Sequence, residues 1–85
     1  MDNEAAQGER ELTFGEKAVG LTFNPSNDPT VDEIKRGYAA LIDTMHRIRT
    51  DAARNGGEQG RLASIAITEA QSAQMWAVKA ATWRD

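Results

Sequence analysis

The chain has 85 residues, a formal net charge of −3, no cysteine and one histidine. That length allows one small domain which buries too little surface to be comfortably stable alone; the missing cysteines exclude disulfides and thiolate metal sites, and the lone histidine argues against ordinary zinc chemistry. Asp2, Glu4, Glu9 and Glu11 against Arg10 account for the whole charge, so there is no basic excess for polymeric nucleic acid; no apolar run approaches a membrane span, and a cytoplasmic, self-associating protein is the expectation.

Residues 1–11 are polar and acidic without periodicity, and are expected to form a disordered tail. Residues 12–28 carry Leu12-Thr13-Phe14 and Leu21-Thr22-Phe23, followed by Gly15 and by Asn24-Pro25-Ser26. This predicts an irregular strap with two apolar anchors, able to cross a helix or line a pocket. The run Asn24 to Pro29 is turn chemistry that leads into a helix. Two starts are open: Asp28 as N-cap with Pro29 in the first position, or Thr30 and Glu33 as a capping box.

Over residues 29–54, Val31, Ile34, Tyr38, Leu41, Met45, Ile48 and Ala52 recur at alternating steps of three and four, which predicts a helix with one apolar seam. Asp43 and Arg47 are spaced to pair on its outer face. Residues 55–59 form the expected turn, with Asn55-Gly56-Gly57 tolerating left-handed backbone. A second helix is expected over residues 60–83, where Ala63, Ala66, Ala70, Ala73, Ala77 and Ala80 share a stripe that lets another helix approach closely. A connection this short makes the two helices antiparallel neighbours. The resulting fold class is all-α: a two-helix hairpin with an N-terminal strap, assembled into a homo-oligomeric bundle. A lone hairpin would leave Leu62, Met75, Trp76 and part of the Ile42 face in water, which predicts self-association.

No catalytic constellation emerges. His46 neighbours Asp43 but lacks a nucleophile at matched spacing, and Glu69 reads as a structural carboxylate across an interface. His, Asp and Glu nowhere recur at ligand spacing. Anion binding fits better, because an aromatic held in a Pro/Asn turn, Phe23, precedes a helix bearing Lys35, and that pairing can stack a base and neutralise a phosphate. Arg61 opens the second helix at the far end, so Lys35 and Arg61 converge only between chains. From the residues alone, a small oligomeric protein–protein interaction module remains an equal alternative.

The segments LTFNPSNDP, VDEIK and GRLASIAITEAQSAQMWAVKAATW together resemble the phage sponge proteins that defeat bacterial CBASS defence, whose helical-hairpin domain is shared with anti-Thoeris sponges. The resemblance spans roughly residues 21–83. It implies a homohexamer that binds cyclic dinucleotides such as cyclic GMP-AMP in pockets between paired protomers. Cyclic trinucleotides are held at separate sites in some relatives. Ligands are bound without cleavage, and no cofactor is implied. On this resemblance the site takes in Phe23 as the stacking aromatic with Asn24, Pro25 and Ser26 beside it, Lys35 and Arg61 as phosphate partners, and Ser64 and Thr68. Phe14 is the alternative stacking residue.

Overall fold

The computed structural model describes residues 10–51 and 57–85. Most of the expected tail (residues 1–9), the expected helix end at residues 52–54 and the Asn55-Gly56 part of the turn lie outside the described residues. Among the described residues there are three helices: α1 (Phe14–Val19), α2 (Pro29–Thr50) and α3 (Gly57–Thr82). Among the described residues no helix is long and apolar enough to cross a membrane.

The strap is not irregular throughout, because its first half coils into α1. Thr13 caps this helix by accepting a hydrogen bond from Glu16 N at 3.1 Å, while the Glu16 carboxylate accepts from Thr13 N at 2.9 Å. This reciprocal box satisfies two donors that a helix start otherwise leaves without partners. Arg10 extends the box by donating to both Glu16 oxygens, at 3.1 and 3.3 Å. Gly20 closes the other end with φ 64°, and its N–H and that of Leu21 return to the Lys17 and Glu16 carbonyls. A left-handed cap of this kind favours glycine because a Cβ there crowds the following carbonyl.

α2 starts at the first of the two expected caps, with Asp28 Oδ1 accepting from Thr30 N at 2.9 Å and Pro29 in the first helical turn. α3 begins at Gly57, so Gly57, Glu58 and Gln59 are helical where a turn was expected. The two long helices pack along their length, and α1 lies chiefly on α2. Val19 and Leu21 provide the strap's anchors in the core, beside Ala39, Ile42 and Ile67, with Ala18, Tyr38, Met45 and Ala70 packed around them. The two phenylalanines stay outside.

The buried line of α2 runs through Val31, Lys35, Ala39 and Ile42. Ile42 is fully buried and Leu41 is exposed, which reverses the expected seam at that point. The cause is that α2 is covered from two sides. Its most enclosed stripe lies between α1 and α3, not directly beneath either. Asp43 shows the same effect: instead of pairing with Arg47, its carboxylate accepts from Thr13 Oγ1 and from Gly15 N, both at 2.7 Å. Gly15 permits this contact, since a Cβ built there would lie 2.1 Å from the Ala39 carbonyl oxygen. On α3 the alanine stripe is only partly enclosed; the deepest line is Ala63, Ile67 and Gln74, and Ala80 is exposed. Leu62, Ile65, Met75, Trp76 and Trp83 point outward, leaving the apolar face expected of an isolated hairpin.

Gly15→Ala is expected to force α1 away from a backbone carbonyl that cannot yield, at a cost of about 1–3 kcal/mol, read as a lower urea midpoint. The Thr13 N–H first, and then Arg10, hold the Glu16 carboxyl below its ordinary value of 4.5. A depressed carboxyl stabilises the fold fully above its unfolded value and loses that contribution as pH falls through the folded one. A stability-against-pH profile is therefore expected to fall on the acid side of about pH 4.5, and Glu16→Gln to flatten that fall.

Candidate ligand-binding cleft

The turn between strap and α2 is fixed by its own side chains. Asn24 Nδ2 donates to Asp28 O at 3.0 Å, Ser26 Oγ donates to Asn24 Oδ1 at 2.7 Å, and Asp28 N donates to Ser26 Oγ at 3.1 Å. Asn27 takes a left-handed φ of 57°, which asparagine tolerates better than most residues. Asn24 and Ser26 thus hold the loop that carries Phe23.

Lys35 sits under this loop, two turns into α2, with only 6% of its surface exposed. Its ammonium donates to Gly20 O at 3.0 Å and to Phe23 O. It also lies 5.5 Å from the centroid of the Phe23 ring, within reach of a cation–π attraction. One buried cation therefore fastens both ends of the Gly20–Phe23 segment. Among the described residues no carboxylate forms an ion pair with it. The Phe23 ring it supports remains 69% exposed.

These groups border a cleft of about 750 Å³. Phe23, Asn24, Pro25, Ser26 and Lys35 form one wall, and Gln74, Met75, Val78 and Thr82 of α3 form the other. Five of the residues proposed from the sequence thus meet at one place. The α3 wall was not foreseen as part of a site. Its signal was Gln74, a polar side chain at a core position of an otherwise apolar stripe. Met75, 63% exposed, belongs both to the lining of this cleft and to the exposed apolar surface of α3.

Arg61, Ser64 and Thr68 are not there. They line a separate hollow of about 350 Å³ with Ile65 and Glu69, and the thirteen residues from Arg61 to Gln74 put about 20 Å of helix between the two. Arg61 is engaged by Glu58 through Nε at 3.0 Å and Nη2 at 2.6 Å. That fork holds the Glu58 carboxyl below and the Arg61 guanidinium above their usual ranges. Ser64 Oγ accepts from Arg49 Nη1 at 3.3 Å.

Phe14 is far less available than Phe23. Its ring stacks on His46 with centroids 4.4 Å apart and planes 12° from parallel, and the Arg49 guanidinium lies 4.9 Å from its centroid. Arg49 Nε donates to His46 Nδ1 at 3.1 Å, so His46 serves a packing cluster and not a relay with Asp43. On the outer face, Lys79 Nζ lies 5.5 Å from the Trp76 ring and 5.9 Å from that of Trp83. Among the described residues no three His, Asp or Glu side chains gather where they could hold a metal ion.

The chain matches the protein-family model described as Acb2/Tad1, hairpin domain, over residues 16–82. Comparison with curated proteins and with solved structures gives no match.

Lys35→Met is expected to keep the aliphatic packing but strand the Phe23 carbonyl and leave Gly20 O with its turn bond from Phe23 N alone. The loss of charge-assisted bonds predicts a destabilisation of about 2–3 kcal/mol in urea unfolding, with faster amide exchange at Gly20 to Phe23 than in the parent.

Proposed function

We propose, because this chain belongs to the Acb2/Tad1 hairpin-domain family of anti-CBASS and anti-Thoeris sponges, that it sequesters cyclic dinucleotides, cyclic GMP-AMP among them, in the cytoplasm of an infected bacterium. The observation that carries this reading is a buried ammonium with no carboxylate partner among the described residues, set beneath an exposed aromatic ring in an open cleft. A lysine has three protons to donate. Two are committed to Gly20 O and Phe23 O, which leaves one for a phosphate oxygen. An anion entering the cleft supplies a countercharge that the described residues do not, and in partly dehydrated surroundings that attraction exceeds its value in water. Phe23 offers its free face to a base, and its Lys35 anchor means that little ordering remains to be done on binding. Capture needs no chemical step. A tight stoichiometric trap lowers the free signal without consuming it.

The cleft has one side missing, and the outer face of α3 supports a second copy of this chain as the missing wall. Leu62, Ile65, Met75 and Trp76 form an apolar surface large for so small a chain. A two-fold pair would present the same residues twice to a pseudo-symmetric cyclic ligand, and closure of such pairs into a hexamer is the assembly we favour. Arg61, Ser64 and Thr68 enter this reading as contributions from a neighbouring protomer, or as the separate place for a cyclic trinucleotide. The same apolar face is what favours the alternative, a helical module that binds another protein.

Native mass spectrometry with a panel of cyclic di- and trinucleotides separates the two. Sequestration predicts intact ligand at a fixed ratio per oligomer, recovered unchanged after denaturation. Phe23→Ala is expected to lower affinity about 5- to 100-fold, the worth of stacking one base, with the subunit count unaltered. An oligomer that carries no nucleotide at saturation would transfer the assignment to the protein-binding module.

A further inference from the structure

Gln74 is the one polar residue in the buried line of α3, with 6% of its surface exposed. A carboxamide in that position ordinarily has a partner, because an unpaired buried amide costs stability. Asn24, Ser26, Lys35 and Thr82, which share the cleft with it, all donate hydrogen bonds within the chain. Gln74 makes none with the described residues. Nor is its amide sealed away, since among the described residues no fully enclosed side-chain polar atom is left unpaired. Gln74 lines the cleft on the wall opposite the loop that carries Phe23, and its unpaired carboxamide is not fully enclosed.

Resting on the sequestration reading, we propose that Gln74 reads the edge of a base stacked on Phe23 and selects adenine. A carboxamide presents one donor and one acceptor side by side. Adenine offers the complement on its N7 edge, an acceptor at N7 beside the N6 amino donor. Guanine shows two acceptors there, N7 and O6, so one half of the carboxamide meets a like group. The ammonium of Lys35 engages phosphate and is indifferent to the base, and the Phe23 ring accepts any π-face. Of the side chains lining the cleft, Gln74 is the one that carries both a donor and an acceptor and makes no hydrogen bond with the described residues, whereas Lys17 only donates, and it is Gln74 that supplies the discrimination that Phe23 and Lys35 lack.

The test is titration calorimetry of the full chain with cyclic di-AMP and cyclic di-GMP, for the parent, Gln74→Met and Gln74→Glu. The parent is expected to prefer cyclic di-AMP by about tenfold or more. Gln74→Met keeps the side-chain volume and is expected to bring the two affinities together by weakening the adenine ligand. Gln74→Glu, which only accepts, is expected to lose the N7 contact and weaken cyclic di-AMP without any gain for cyclic di-GMP, whose N7 edge has no donor to offer. A parent that favours cyclic di-GMP, or a Gln74→Met whose affinity ratio matches the parent's, overturns the assignment of Gln74 while sequestration stands. A parent that binds neither these nor any other cyclic dinucleotide overturns both.

Discussion

The ammonium of Lys35 is the contact on which the working part of this small fold depends. It reaches from α2 to two carbonyls of a segment that has no sheet or helix of its own to satisfy them. Leu21 anchors this segment in the core, and Lys35 adds the polar tie that holds the Phe23 carbonyl, and with it the aromatic ring, to α2. Burying a cation to this end is costly unless it is well bonded. The fold accepts that cost at the very point where an anion can offset it. On the proposed function, structural demand and ligand chemistry converge on one atom, so the position resists separation into a scaffold role and a binding role.

A second constraint keeps the strap in register. The Asp43 carboxylate holds Thr13 and Gly15 at once, and Gly15 lets the backbone of α1 lie against the Ala39 carbonyl. Gln71 adds a weak tether from α3, donating to Ala18 O at 3.4 Å. The six residues of α1 are too few to be helical by themselves. Capped at both ends and clamped to α2, they deliver Gly20 to Lys35 in the geometry the cleft requires.

The long helices and their antiparallel arrangement were legible from periodicity, and Asp28-Pro29 marked the start of α2. The register of the α2 seam was not. Val31, Ile34, Tyr38, Leu41 and Val31, Lys35, Ala39, Ile42 are both helical stripes, and the first is the more apolar. What selects the second is α1, a partner whose contact at Gly15 is non-local and invisible to a pattern search. α1 itself did carry a local signal, Thr13 and Glu16 at capping-box spacing with Gly20 to follow, but six residues are too short for periodicity to speak. Phe23 and Lys35 stood out by residue type. Their meeting with Gln74, thirty-nine positions after Lys35, depended on how the hairpin closes, and the distance from Arg61 followed from the helix rise alone.

Both tryptophans of the chain, Trp76 on the outward face of α3 and Trp83 just past its end, stand astride Lys79, and neither belongs to the core. The intrinsic fluorescence of this protein is therefore an optical record of its surface. Emission responds to whatever comes to lie against α3 and is nearly blind to the packing of Ile42 and Ile67. A blue shift on raising the concentration signals dehydration of that face, and a chemical-denaturation curve followed by tryptophan traces the loss of neighbours there before it traces the loss of the hairpin. Far-ultraviolet dichroism follows the helices themselves, so the gap between the two curves separates events at the surface from events in the core.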